Sequence, residues 1–250
     1  MKILITIFLF SPLLLFAQEK GTFRIELESN FRTFNLESFN KTLNNKEYIG
    51  TDNYDNVAIK NGFAIGINIS YSFNNFIGFG IYGETQSGLI KQNIYYQFED
   101  EYGNPTESIT LIRDFKIQSF SAGLSTNLLL NNLKFWRDIS CLTNFESGIN
   151  IQTGYGKAFF LSGSNWENAN ENNLAKGLSY SRGFQLITSF KMGYILTHEK
   201  YFSSIGIKFG YQYFSTSPLK FGDEIYPEPG RETKLNFSGW SLGIYLNLGR

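Results

Sequence analysis

Beyond its first twenty residues the chain alternates, in eight successive segments, between large apolar residues and small or polar ones. A period of two is the mark of a β-strand, because successive side chains point to opposite faces. Segment 22–33 sets Phe23, Ile25, Leu27 and Phe31 against Arg24, Glu26, Glu28, Asn30 and Arg32. Segments 62–73, 76–86, 117–128, 141–156, 184–197, 203–213 and 238–248 repeat the pattern. Each is close to the 9–11 residues with which a tilted strand crosses a bilayer.

The connections alternate as well. Short ones (74–75, 130–138, 198–202) exchange with long polar ones (35–60, 87–116, 157–183, 215–237). Within the second long connection, 94–98 and 109–112 flank Gly103-Asn104-Pro105 and predict a projecting hairpin. A lipocalin-like barrel also has eight strands, with its apolar face turned in. Volume decides between the two, because an eight-stranded barrel is only just filled by side chains. Some five large apolar residues per strand would overfill it, whereas the Gly, Ser, Asn and Ala of the other face suit it. The expected fold is therefore an all-β, eight-stranded antiparallel up-and-down transmembrane barrel with short periplasmic turns and long extracellular loops.

Aromatics gather at the segment ends, as membrane interfaces favour. Tyr71, Phe73, Phe76, Trp136, Tyr194 and Tyr201 lie by the short turns; Phe31, Phe115, Tyr155, Phe159, Tyr211 and Tyr213 lie by the long loops. At the start of the chain, Met1-Lys2, an apolar run over 3–16 and Ala17-Gln18 read as a secretory signal peptide, too short to span. The expected division is a signal peptide over 1–18 and a barrel over 19–250. A net charge of zero leaves no footprint for nucleic acid, and a single cysteine, Cys141, gives no disulfide framework.

The whole mature segment resembles the eight-stranded outer-membrane barrel family that includes OmpX and the OmpA transmembrane domain. By this resemblance Ser241, Gly243, Leu246 and Leu248 match the terminal signal read by the barrel-assembly machinery. The family pattern often has an aromatic where this chain has leucine, and this chain runs on to Gly249-Arg250. The resemblance implies residence in the bacterial outer membrane among its lipids, with loops extracellular and termini periplasmic.

Eight charges fall on the lumen face: Arg24, Arg32, Lys191 and Lys208 against Glu26, Glu28, Glu84 and Glu146. Charges in a low-dielectric interior must be paired, so the set predicts an ion-pair plug rather than a selectivity filter. Enzymes of this architecture need a histidine as general base, and the one histidine, His198, falls in a periplasmic turn. No catalytic residue, cofactor or metal site is expected. Asp52, Asn53, Asp55 and Asn56, like Glu99, Asp100 and Glu101, lack the ordered ligand spacing of a calcium loop. The 154–157 stretch Gly-Tyr-Gly-Lys lacks the rest of a phosphate loop, and Cys141 reads as a small lipid-facing filler. The leading functional expectation is a non-enzymatic barrel whose loops contact an extracellular protein or surface ligand, or which supports the envelope. Tyr48, Tyr54, Trp166, Phe221 and Tyr226 are its expected aromatic anchors. A narrow pore or an accessory barrel of a transport or assembly machine is the second expectation, and a lipid- or protein-modifying enzyme the third.

Overall fold

The computed structural model describes residues 22–49, 51, 53–73, 76–130, 144–167, 177–196, 202–221, 224–225 and 233–248. The signal segment, Asp52, Trp136, Cys141, His198, Tyr201 and Tyr226 lie outside them, as do the side chains of Tyr48 and Phe221. Eight long strands carry the molecule: β1 (Thr22–Thr33), β2 (Asn61–Ser72), β3 (Ile77–Glu99), β4 (Pro105–Leu129), β5 (Phe145–Trp166), β6 (Gly177–Ile195), β7 (Phe202–Pro218) and, last in the chain, Gly239–Leu248. Between β7 and that last strand come three short ones, β8 (Lys220–Phe221), β9 (Glu224–Ile225) and β10 (Lys234–Asn236), so the last is β11. Two helices, α1 (Glu37–Leu43) and α2 (Lys46–Ile49), lie between β1 and β2.

Each long strand pairs antiparallel with its chain neighbours, and β11 returns to pair with β1, which closes the ring. Closure leaves no edge for lipid to satisfy. Followed around the ring through directly paired residues, Lys157 leads to Phe120, Thr85, Ile65, Ser29, Ile244, Ile207, Met192 and back onto β5 at Ser147. The path returns ten residues from its start, so the shear is ten. With a rise of ~3.3 Å and a strand spacing of ~4.8 Å, a shear of ten over eight strands tilts them by about 40°.

That tilt sets the width of the apolar band. Phe145 pairs with Tyr194, and ten residues further along both strands Tyr155 pairs with Phe184. Ten residues at this tilt rise about 25 Å along the barrel axis, the height of a lipid-facing band. Both levels are aromatic rings of contacts. At the short-turn level Tyr71 meets Phe73 at 5.0 Å and Phe145 meets Tyr194 at 5.6 Å. At the long-loop level Phe31 meets Phe63 at 5.7 Å, Tyr155 meets Phe184 at 5.8 Å and Tyr211 meets Trp240 at 5.2 Å. Between them Ile65, Ile67, Ile81, Leu124, Ile207, Leu242 and Ile244 are exposed on the outer surface.

Beyond the long-loop girdle the fold departs from the sequence reading. β3, β4 and β5 run for 23, 25 and 22 residues, so most of the expected loops 87–116 and 157–183 are continuous strand. The expected hairpin is their tip, turning at Gly103 with a φ of 79°. Here the alternation changes phase. On β4 the apolar residues within the band, Phe120 and Leu124, face out, whereas further up Phe115 and Ile117 face in and are buried. On β3 Ile81 faces out and Ile94 in. Inside, an apolar plug has replaced the polar lumen, while Leu89 and Leu161 still face outward. Phe115 therefore belongs to that plug and not to the girdle. At the opposite end β4 stops at Leu129 and β5 starts at Phe145; most of the short connection expected at 130–138 and the first residues of the strand expected from 141 lie outside the described residues.

Candidate functional site

The lumen is the place where the chain's unusual residues meet. β1 contributes to every charge layer, in order from the short-turn end: Arg24, then Glu26 and Glu28 together, then Arg32, with Phe34 just past its end reaching the plug.

In the first layer Arg24 donates to Glu146 at 3.3 Å. The other oxygen of Glu146 accepts from Asn247 at 2.6 Å and from the Tyr245 hydroxyl at 3.2 Å, and also from Ser204. In the second layer Lys191 donates to Glu26 at 2.6 Å, while Lys208 lies 3.5 Å from the other Glu26 oxygen and is paired with Glu28. Tyr245 reaches past its partner Gly206 to Gly193, where a Cβ would come to 2.3 Å from its hydroxyl; only a glycine leaves it room. In the third layer both terminal nitrogens of Arg32 face the two oxygens of Glu84, one at 2.6 Å. Three glutamines complete it. Gln185 donates to Glu84 at 3.0 Å and to Gln212 at 3.1 Å, and Gln212 donates to Gln86 at 3.2 Å. Tyr82 donates to Gln185 at 2.9 Å. All eight charges named from the sequence thus lie in these three layers, and only Arg24, with 27% of its side chain exposed, keeps appreciable solvent.

Gln86, Gln185, Gln212, Tyr82, Tyr245, Asn247 and Ser204 were not singled out from the sequence. Their inward parity was legible; that they would converge on particular carboxylates follows only from the shear, which no strand reveals by itself.

Above the third layer sits an apolar plug made of Phe34, Leu36, Phe39, Leu43, Ile59, Phe115, Ile117, Ala158, Phe214, Leu219, Leu235 and Phe237. Four of these come from the first long connection, expected to be a polar extracellular loop, with Phe34 just before it, and three from the last. Phe34 packs edge-on against Phe237 at 5.4 Å, Phe237 stacks on Phe214 at 5.4 Å, and Phe39 meets Phe160 at 4.9 Å. The first connection is thus a folded lid. Asn40 and Asn44, one turn apart on and just after α1, use their side-chain amides as a strand would. Asn40 donates to the carbonyl of Ile59 at 3.2 Å and accepts from its N–H at 2.9 Å. Asn44 does the same to Val57 at 2.6 and 2.9 Å. The lid is then pinned to the projecting part of β3, where the N–H of Asp55 donates to Asn93 and that of Tyr95 to Asn53, both at 2.9 Å.

Of the expected aromatic anchors, Trp166 is 43% exposed with its ring 5.6 Å from Tyr96, whereas the Tyr54 hydroxyl is engaged with the Asn44 carbonyl at 2.9 Å. At the hairpin tip Asp100 accepts from the backbone N–H groups of Asn104 at 2.8 Å and Tyr102 at 2.9 Å, and these hydrogen bonds, Asn104's first, hold its carboxyl below the ordinary aspartate pKa. That carboxylate shapes the turn. Among the described residues no group of three or more His, Cys, Asp or Glu is arranged to hold a metal. On β11 Ser241 and Gly243 face the lumen while Leu246 and Leu248 face out. A Cβ at Gly243 would come to 2.2 Å from Asn30, so packing alone requires this glycine.

No family model and no curated protein sequence matches the chain. Solved structures similar to it include the following three. Neisserial surface protein A is 11% identical with a TM-score of 0.42, over 93% of this chain and 100% of that one. Outer membrane protein OprG from Pseudomonas aeruginosa is 10% identical with a TM-score of 0.44, over 92% and 96%. Ail of Yersinia pestis, solved in complex with the heparin analogue sucrose octasulfate, is 15% identical with a TM-score of 0.33, over 92% and 99%. The fold itself stands on the closed ring, the shear and the two girdles described above. A closed antiparallel ring with a polar lumen and an apolar exterior of lipid width is an eight-stranded β-barrel of the outer-membrane type, similar in kind to OmpX.

Proposed function

We propose that the protein is a closed, non-enzymatic barrel of the bacterial outer membrane, exported by its N-terminal signal. In this reading the short turns and both termini face the periplasm, the extension of β3, β4 and β5 stands outside the cell, and an extracellular protein or surface ligand is met there. Leu246 and Leu248, outward on the last strand, are the residues offered to the barrel-assembly machinery.

One observation carries the reading: the lumen is obstructed twice in series, by the ion-pair layers and by the apolar plug, while the strands continue far past the girdle. From Phe120 to Pro105 β4 travels fifteen residues, about 50 Å of strand. A pore gains nothing from such an extension, whereas a contact surface does. Tyr102, 82% exposed, Leu89, 64%, Phe98, 48%, and Trp166, 43%, are among the apolar groups it presents.

The test joins two measurements. The purified, refolded protein in planar bilayers is expected to show no steady conductance, and an epitope inserted at Gly103 is expected to be labelled on intact cells. Steady conductance that changes ion selectivity in Glu146→Gln would make the protein a pore. An epitope reached only after lysis would reverse the orientation.

A further inference from the structure

The outer surface carries a group of cations that neither the lumen nor the lid uses. Lys157 on β5 and Arg182 on β6 are direct partners in the sheet. Both face outward and are exposed. They lie one step beyond the girdle pair Tyr155 and Phe184, on the same faces of the same two strands. Phe120 is the partner of Lys157 on the other side, and Lys116, also outward and exposed, stands four residues, about 13 Å of strand, further up β4.

The Lys157 side chain leans away from the apolar band. Its ammonium lies 5.1 Å from the centre of the Phe159 ring and 4.6 Å from that of Tyr180, both nearer the long-loop end. Such a posture lays the methylene stem against aromatic surface and lifts the charge to headgroup level. Among the described residues, Lys157, Arg182 and Lys116 are paired with no carboxylate; the nearest acid on that face, Asp114, is turned to Lys91 at 3.7 Å. At the same level β1 and β2 offer Thr33 and Asn61, and β7 offers Ser215. Lys157 and Arg182 stand above a ledge of exposed aromatic side chains, Phe120, Tyr155 and Phe184.

We propose that Lys157 and Arg182, flanked by Lys116, form a binding site for the phosphate of an anionic lipid whose chains lie against Phe120, Tyr155 and Phe184. The proposal rests on the placement of the barrel in a membrane. Guanidinium and ammonium supply charge-assisted donors, Arg182 the planar fork that suits phosphate oxygens and Lys157 a movable point charge. The aromatic ledge receives the acyl chains, so only a ligand with both parts satisfies the whole site. A phosphorylated glycolipid and an anionic glycerophospholipid share this chemistry.

The protein is refolded in an uncharged detergent and titrated with bisphosphorylated lipid A, with dephosphorylated lipid A and with phosphatidylglycerol, lipid retention being read by native mass spectrometry. Phosphorylated lipid is expected to bind at least tenfold more tightly than its dephosphorylated form, and less so in high salt. Each removed cation is expected to weaken binding about fivefold, so K157Q/R182Q loses some 20- to 30-fold. K41Q, on the lid, is expected to change nothing. Preference for lipid A over phosphatidylglycerol assigns the site to the glycolipid; equal affinity assigns it to the phosphate alone. Binding blind to phosphate, or undiminished in K157Q/R182Q and in the single variant K157Q, overturns the site. Heat-modifiable gel mobility is read on the same samples. If the wild type lacks it, the membrane placement falls and takes the site with it; if it is normal while binding ignores phosphate, the site alone falls.

Discussion

Glu84 shows how much of the barrel depends on single side chains. Its two oxygens face Arg32, and one of them also accepts from Gln185 at 3.0 Å. Burial makes each charge costly alone, and removing one partner of a buried pair typically costs about 3–5 kcal/mol. Glu84→Gln is therefore expected to lower unfolding stability by about that amount, because Arg32 is left facing amides only. Denaturant titration in lipid vesicles measures it. Replacing both Arg32 and Glu84 by Met is expected to cost much less, since no orphaned charge remains. A single-variant loss below that of the double replacement would mean that water, not Glu84, neutralises the guanidinium.

At the level of elements, the strands were legible where lipid imposed one rule, and obscure where it did not. β1 was read with its observed bounds, Thr22–Thr33, because its outer residues face lipid along its whole length. From the sequence β4 starts at 117, because its apolar phase inverts there, Phe120 outward giving way to Ile117 inward. Read for parity alone, such an inversion resembles the end of a strand, though it marks only the end of the membrane. The lid escaped for another reason. Phe34, Leu36, Phe39, Leu43 and Ile59 are scattered among Asn, Lys and Glu, and only Phe39 and Leu43 share a helix, one of 7 residues and too short to declare a periodicity. What holds them is the amide ladder. Asn40→Ala with Asn44→Ala is expected to free the backbone of Val57 and Ile59, at a cost of about 1 kcal/mol per lost hydrogen bond. Hydrogen exchange should quicken at those two amides and leave β2 protected; protection retained at both would show that plug packing alone holds the lid.

For the whole molecule, lipid sits on one side of the sheet and the charge layers on the other, and the two faces should answer differently to substitution. Ile67, exposed and midway between the girdle residues Phe63 and Tyr71 of β2, stands at the centre of the band. Ile67→Arg is expected to cost about 2–4 kcal/mol of folding in lipid. Ser70→Thr, one methyl into the lumen, is expected to cost about 1–3 kcal/mol at most and to depend on how Ser125 and Asn68 repack. Equal losses in detergent and in lipid for Ile67→Arg would place that residue away from the acyl chains.

The layered order of β1 bears on how such a chain reaches its final form. Its carboxylates and arginines find their partners on β3, β5, β6 and β7, up to 182 positions away in the chain. No hairpin inserted on its own satisfies them, so an open sheet would bring bare charge into contact with hydrocarbon. Neutrality arrives only when β11 meets β1. The ion-pair layers therefore act as a toll on incomplete intermediates as well as a filling for the finished barrel: they set against one another an unsealed sheet that lipid rejects and a sealed one that it accepts, and make the last seam the committing step.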